Sequence, residues 1–131
     1  DDVLLQHDKD ESITILNISS TLQYIIPYSN FFDSLLSKTK PKVICITRFP
    51  RFDDATNDAY GVEDITTPTG YCGSTVINFF GRNTLVELMM KFGYYVAFED
   101  VSFEGTDFSG NSDDINYRKI SMVAYTFIRS H

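Results

Sequence analysis

Three small polar residues follow the first apolar segment of the chain, at a position where ligands often bind. Residues 13–18 are mostly β-branched and apolar without clean alternation, which predicts a strand covered on both faces. Ser19, Ser20 and Thr21 come directly after it. Ligands of open α/β sheets bind in the crevice beyond the carboxyl ends of the strands. These side chains therefore either line a ligand pocket or form a polar turn that only ends the strand.

Two larger side chains near the predicted strand ends could also contact a ligand. Arg48 lies just after a second apolar segment, where its fixed fork of donors could bind a carboxylate. It could equally pair with Asp53 or Asp54. Tyr24 lies shortly after the first strand, where it could pack over a ligand or anchor the helix that follows.

Carboxylates, histidines and cysteines form no pattern typical of an acid–base, nucleophilic or metal site. The adjacent carboxylates at 53–54 and 113–114 are interpreted as solvated, because neighbours in a loop rarely converge on one ion. His7 and His131 lie near the two ends, which argues against a Ser-His-Asp or Cys-His constellation. The two cysteines are far apart and are interpreted as reduced structural thiols, so we expect no metal site.

The elements that must position these residues alternate between strands and helices. Strands are predicted at 13–18, 43–47, 94–103 and 119–128, and helices at 28–38 and 82–92. Residues 51–78 are predicted as a long irregular loop, either a lid over a substrate site or a plain insertion. Strands separated by helices indicate a parallel α/β sheet, and the last two strands, with no helix between them, are predicted to lie antiparallel.

The composition excludes several classes of protein. The 131 residues suit one domain or part of a larger one, and 43% hydrophobic residues suffice for a core. A net charge of −7 without a Lys/Arg cluster argues against nucleic acid as a partner. No apolar run is long enough to span a bilayer, and no signal-like segment begins the chain. We therefore expect a cytoplasmic protein.

Two local segments, together with the order of elements, carry a resemblance to a known family. Residues 15–25 comprise a hydrophobic strand, a small polar turn and then Leu22-Gln23-Tyr24. Residues 46–50 end in Arg48-Phe49-Pro50. Both segments resemble the strand-four and strand-five exits of a bacterial family of class I, S-adenosylmethionine-dependent methyltransferases, and Tyr71 falls in the family's order.

The resemblance extends over about residues 13–129 and implies a particular fold. In this family seven strands form a Rossmann-like sheet, and the last strand is antiparallel and inserted between the fifth and sixth. The chain would supply strands four to seven, that is, the C-terminal half of the domain. Residues 1–12 would be a polar lead-in, and residues 13–131 would form the α/β half-domain.

The resemblance also implies roles for the residues at the strand ends. Five residues would bind S-adenosylmethionine near its methionine end: Ser19, Ser20, Thr21, Leu22 and Gln23. Three would contact the methyl acceptor: Tyr24, Arg48 and Tyr71. The acceptor would be a small molecule, and the family's association with surface-polysaccharide functions suggests a saccharide-related one.

The chain departs from the family's pattern in the part that holds the rest of the cofactor. It has no glycine-rich loop after a strand and no matching acidic strand end, so we expect the isolated chain to be inactive. The alternative is a non-catalytic, methyltransferase-like module that binds a partner or oligomerises. In a half-sheet the first strand would expose an unpaired edge, which predicts a homodimer through that edge.

Overall fold

The computed structural model describes residues 14–70, 72–108 and 118–130. The predicted lead-in at 1–12, Tyr71 and both histidines therefore lie outside the described residues. The strands are β1 (Ile15–Ser19), β2 (Val43–Phe52), β3 (Ala59–Thr66), β4 (Cys72–Phe79), β5 (Tyr94–Phe108) and β6 (Arg118–Arg129). The helices are α1 (Tyr28–Lys38) and α2 (Thr84–Lys91), and a 3-10 helix spans Leu22–Tyr24.

Four of these strands form one mixed sheet in the order β1-β2-β6-β5. β1 and β2 are parallel, and β6 is antiparallel to both β2 and β5. It follows that β1, β2 and β5 all run in one direction and that β6 alone runs against them. The antiparallel pairing predicted for the last two strands is confirmed.

The helices cover one face of the sheet because their apolar stripes and the strands share a single core. Phe32 of α1 and Met89 of α2 are both fully buried in the cluster that contains Ile44 and Phe127. On the opposite face, Ile15 of β1 is 62% exposed. The prediction that β1 is covered on both faces is therefore wrong for the described part of the chain, since both helices pack on the same side.

The prediction of an irregular loop at 51–78 is wrong, because this segment contains a β-hairpin. β3 and β4 pair in register, with Val62 opposite Val76, and form a separate two-stranded sheet. Gly70 adopts a φ of 84° in the connection between them. Pro68 and Gly70 lie close together between two segments that contain β-branched residues, which is a hairpin signal.

β2 also continues further than the sequence predicts, and this extension attaches the hairpin. The strand passes Arg48 through an irregularity in its register with β6 and runs on to Phe52. Phe80 then pairs with it: the Phe80 N–H donates to the Pro50 carbonyl (3.0 Å), and the Phe52 N–H donates to the Phe80 carbonyl (2.8 Å). The end of β4 therefore lies along the edge of β2 that β1 leaves at Thr47, directly beyond the carboxyl end of β1.

Candidate ligand crevice at the carboxyl edge of the sheet

The carboxyl end of β1 lies beside Thr47 in the middle of β2, and the next residue on each strand has a costly backbone conformation. Ser19 is the register partner of Thr47. The next residues, Ser20 and Arg48, have φ values of 53° and 57°. A left-handed conformation costs an L-residue about 1–2 kcal/mol, and such strain is concentrated at functional sites. This edge of the sheet is therefore a candidate functional site on backbone geometry as well as on residue type.

Hydrogen bonds hold the polar turn after β1 in place. The Ser20 N–H donates to the Thr47 carbonyl (2.9 Å), and the Thr47 hydroxyl donates to Ser19 Oγ (2.9 Å). The Thr21 hydroxyl donates to the Ser19 carbonyl (2.7 Å). Ser19, Ser20 and Thr21 are all exposed. The structure thus brings these three predicted residues together at the surface of the crevice.

The other predicted residues of this segment have different environments, because the 3-10 helix turns them in different directions. Leu22 is 1% exposed and belongs to the hydrophobic core, and Gln23 is 5% exposed. Tyr24 is 42% exposed, and its hydroxyl donates to Glu63 Oε2 at 2.8 Å. This bond to Glu63 raises the pKa of Tyr24, with burial acting in the same direction. Tyr24 therefore links the 3-10 helix to β3.

Arg48 is exposed and does not form the ion pair with Asp53 that was one alternative for it. Asp53 instead pairs with Arg51, whose Nη2 lies 3.1 Å from Asp53 Oδ1. The Arg48–Asp53 alternative is wrong because Arg51, two residues from Asp53, is the more buried cation at this strand end.

A partly buried ionic cluster around Arg51 lies near the end of β2 and was not predicted. Arg51 Nη1 donates to Glu99 Oε1 (2.8 Å) and to the Tyr125 hydroxyl (2.7 Å). The Ser121 hydroxyl donates to Asp53 Oδ2 at 2.5 Å. Burial acts to lower the pKa of Arg51, but its hydrogen bonds to Glu99, Tyr125 and Asp53 outweigh this and raise it. Arg51 therefore remains a cation and ties three strands together.

Asp58 anchors the segment that leads into the hairpin. Its Oδ2 accepts from the Tyr28 hydroxyl (2.7 Å), and its Oδ1 accepts from the Gly81 N–H (2.7 Å) and the Thr84 hydroxyl (2.5 Å). Burial, followed by the bond to Asp58, raises the pKa of Tyr28. One carboxylate thus joins the first turn of α1 to the first turn of α2 and holds both ends of the hairpin segment.

A cavity of about 460 Å³ lies elsewhere, near the start of β5 and the end of β6. Lys40, Phe92, Tyr94 and Arg129 contribute to its lining, and it includes none of the predicted site residues. The Arg129 guanidinium donates to the Lys40 carbonyl at 2.6 Å, so this cation serves to close the end of the segment after α1. Strand direction places the cavity at the opposite edge of the sheet from the candidate crevice.

Metal-ligand clusters and membrane-spanning helices are both absent from the part of the chain that the structure describes. Within 14–70, 72–108 and 118–130, no group of three or more His, Cys, Asp and Glu residues could hold a metal ion. No helix in these same ranges is long and apolar enough to cross a membrane.

Two solved structures of the glycopeptide N-methyltransferase MtfA are similar to this chain. With S-adenosyl-L-homocysteine bound, the TM-score is 0.53 at 9% identity, over 94% of this chain and 57% of that chain. With S-adenosyl-L-methionine bound, the TM-score is 0.54 at 9% identity, over 95% of this chain and 57% of that chain. This chain thus spans 57% of the length of the structures it matches.

The sequence comparisons add no family to this result. No protein-family model matches the chain, and no curated protein matches it. At 9% identity the structural likeness shows the fold alone, which is a methyltransferase-like mixed α/β fold.

Proposed function

We propose that this chain is the C-terminal part of a class I S-adenosylmethionine-dependent methyltransferase and supplies strands four to seven of its sheet. The observation that carries the proposal is the strand order β1-β2-β6-β5, in which only β6 is antiparallel. An antiparallel last strand between two parallel ones is a narrower pattern than an α/β sheet in general. The likeness to a methyltransferase that binds this cofactor supports the same assignment.

The residues of the crevice fit one end of the cofactor. Ser19, Ser20 and Thr21 offer exposed hydroxyls and strand-end backbone groups for the methionine end. Gln23 is 5% exposed and, unlike them, presents no exposed group to that end. Leu22 supports this turn through its place in the core. Among the described residues none at this edge fits the adenosine end, since the sequence has no glycine-rich loop after a strand and no matching acidic strand end. We therefore assign the adenosine end to other residues of a longer protein.

S-Adenosylmethionine supplies an activated methyl group when bound, so the chain has mainly to orient the two reactants. Arg48 is proposed to bind an acidic group of the acceptor, and Tyr24 and Tyr71 to contact the acceptor's apolar surface. The acceptor is proposed to be a small, saccharide-related molecule. The cytoplasmic location, the bacterial origin and the absence of nucleic acid as a partner stay predictions from the sequence.

Calorimetry with S-adenosylhomocysteine tests the proposal on the longer protein and on this chain side by side. We expect binding by the longer protein and binding at least about tenfold weaker by the 131-residue chain alone. Ser19→Leu should weaken binding by the longer protein about tenfold or more, since it places a bulky apolar group at the crevice. Asn17→Leu, two residues earlier on the same face of β1, is the matched control and should bind normally.

Arg48→Gly separates the two uses of the guanidinium in the same experiment. Glycine relieves the left-handed conformation, so the variant should fold at least as well as the wild type. Unchanged affinity for S-adenosylhomocysteine would support a role toward the acceptor, and weaker affinity would assign Arg48 to the cofactor's carboxylate. No heat of binding by the longer protein would rule out the proposed function.

A second candidate is a non-catalytic module that assembles through β1. Among the described residues β1 pairs only with β2, and Ile15 on it is 62% exposed. Unpaired edges favour strand pairing with another chain, and an edge lysine disfavours it. We expect a dimer in sedimentation velocity that Ile15→Lys converts to a monomer, whereas Tyr95→Lys on β5 leaves it intact. A monomeric wild-type chain would contradict this candidate.

A further inference from the structure

Two buried side-chain amides at the candidate crevice lack hydrogen-bond partners among the described residues. Asn78 is fully buried, and neither its Nδ2 nor its Oδ1 has a partner. Gln23 is 5% exposed, and its Oε1 has no partner. Most buried side-chain polar atoms in folded proteins are hydrogen-bonded, and each unpaired one carries a desolvation penalty. These three atoms therefore need a physical explanation.

The two amides lie on elements that pack against each other beyond the end of β1. Gln23 is in the 3-10 helix Leu22–Tyr24, and Asn78 is near the end of β4. The 3-10 helix packs on β4, and the end of β4 pairs with β2 through Phe80. The carboxyl end of a strand in an open α/β sheet is where ligands bind. The unpaired atoms thus belong to two elements that pack on each other beyond the end of β1.

The Gln23 side chain lies beside the Tyr24–Glu63 pair. The bond to Glu63 and burial raise the pKa of Tyr24, and the Gln23 side chain acts in the opposite direction. The Tyr24 hydroxyl donates to Glu63 Oε2, and Gln23 Oε1 has no partner among the described residues.

The chemistry of the unpaired atoms indicates a neutral ligand group. Together they offer two acceptors and one donor, and none of them carries a charge. A hydroxyl can donate to an amide oxygen and accept from an amide nitrogen, so a pair of hydroxyls would satisfy all three atoms. A charged group would lose its hydration here without gaining an opposite charge from either amide.

The hairpin provides a route by which such a group could enter. β3 and β4 form a sheet of only two strands, a structure of marginal stability on its own. The Tyr24–Glu63 bond that joins it to the 3-10 helix is exposed to solvent. Parting of the hairpin from the 3-10 helix would therefore break few buried polar contacts while exposing the amides.

We propose that Gln23 and Asn78 form a subsite for a neutral, hydroxyl-bearing group of the acceptor, which enters between the 3-10 helix and the hairpin. The identification of the bound group as part of a methyl acceptor rests on the proposed function, but the subsite itself consists of residues of this chain. In the free protein the unpaired amides lower the stability, and in the complex they bind the hydroxyl-bearing group.

Thermal unfolding of the 131-residue chain tests whether the unpaired amides destabilise the free protein. Asn78→Leu removes both unpaired atoms at similar volume, and we expect its midpoint to rise by about 4 °C or more. Gln23→Met is the second variant and should also raise the midpoint. Asn30→Leu, on the exposed face of α1, is the matched control and should change it by about 2 °C or less. A fall in the midpoint of both crevice variants would show that the amides are structural and overturn the proposal.

Nuclear magnetic resonance of the side-chain amides tests whether they bind a hydroxyl-bearing group. The probes are the methyl glycosides of glucose, galactose and mannose, with sodium acetate and methylammonium chloride as charged probes without hydroxyls. At least one glycoside should shift the Asn78 side-chain amide signals. Gln23→Met should weaken that binding about tenfold or more, and Asn78→Leu, followed through the backbone amides of Gln23 and Phe80, should do the same. No shift with any glycoside, or equal shifts with the charged probes, would overturn the proposal.

Failure of this subsite and failure of the proposed function are distinguishable. The glycoside and stability experiments use this chain without cofactor, whereas the methyltransferase proposal depends on S-adenosylhomocysteine binding by the longer protein. Glycoside binding without cofactor binding would leave the subsite in place on a carbohydrate-binding module.

Discussion

Arg51→Met is expected to lower the free energy of unfolding of this chain by about 3 kcal/mol, measured by urea denaturation at pH 7. The Arg51 side chain is 11% exposed and contacts Asp53, which is 22% exposed. Methionine keeps most of the volume but removes the donor to Asp53 Oδ1 and to the Tyr125 hydroxyl. Glu99 is 42% exposed and regains water, so we assign it little of the loss.

The matched control for this prediction is Arg82→Met. Arg82 is exposed, and its replacement should change the free energy of unfolding by about 0.5 kcal/mol or less. A difference between the two variants of under about 1 kcal/mol would mean that solvent screens the Arg51 cluster. The cluster would then contribute little to holding β2, β5 and β6 together.

Gly81→Ala is expected to lower the free energy of unfolding by about 3 kcal/mol, at the upper end of the range for overpacking. A Cβ at this buried position would overlap the Thr56 carbonyl oxygen and lie 2.7 Å from the carbonyl carbon of Thr56 and 2.9 Å from that of Asn57. These are backbone atoms, so no side-chain rotation can relieve the overlap. A backbone shift that relieved this overlap would also pull the Gly81 N–H away from Asp58 Oδ1.

Gly70→Ala separates overpacking from backbone conformation. Gly70 has a φ of 84°, and no atom lies within 4 Å of the point that an alanine Cβ would occupy. Alanine there should therefore cost only the left-handed conformation, about 1–2 kcal/mol. Equal losses in the two variants, again by urea denaturation, would show that the segment at Thr56 moves away easily. In that case Asp58 does not hold the hairpin segment firmly.

The regular elements of the main sheet could be predicted from the sequence because their signals are local. The apolar stripe that includes Phe32 and Leu36 predicts α1 over 28–38, and α1 spans Tyr28–Lys38. The β-branched and apolar run at 43–47 predicts the start of β2 correctly. The hairpin was missed because the glycines and polar residues around the exposed Val62 and Val76 were interpreted as loop, although the connection between the two strands carries a hairpin signal.

The residues near the crevice also divide into those that the sequence predicts and those that it does not. Ser19, Ser20 and Thr21 are neighbours in the chain, so their position after a predicted strand was enough to bring them together at one sheet edge. Arg51 and Asn78 gave no such signal. Arg51 meets Glu99 and Tyr125 only when β5 and β6 align beside β2. The burial of Asn78 depends on where the end of β4 packs.

The sequence by itself determined the order of α1, α2 and the four strands of the main sheet, and the polar turn at Ser19, Ser20 and Thr21, because hydrophobic periodicity and turn residues act over a few positions of the chain. Only the tertiary structure decided what surrounds that turn. In it, β2 has an irregularity at Arg48, continues to Phe52 and pairs its free edge with Phe80. This pairing uses backbone hydrogen bonds, which any side chain allows. Backbone pairing of this kind leaves no mark on residue type, and for that reason the covering of the crevice could not be predicted from the sequence.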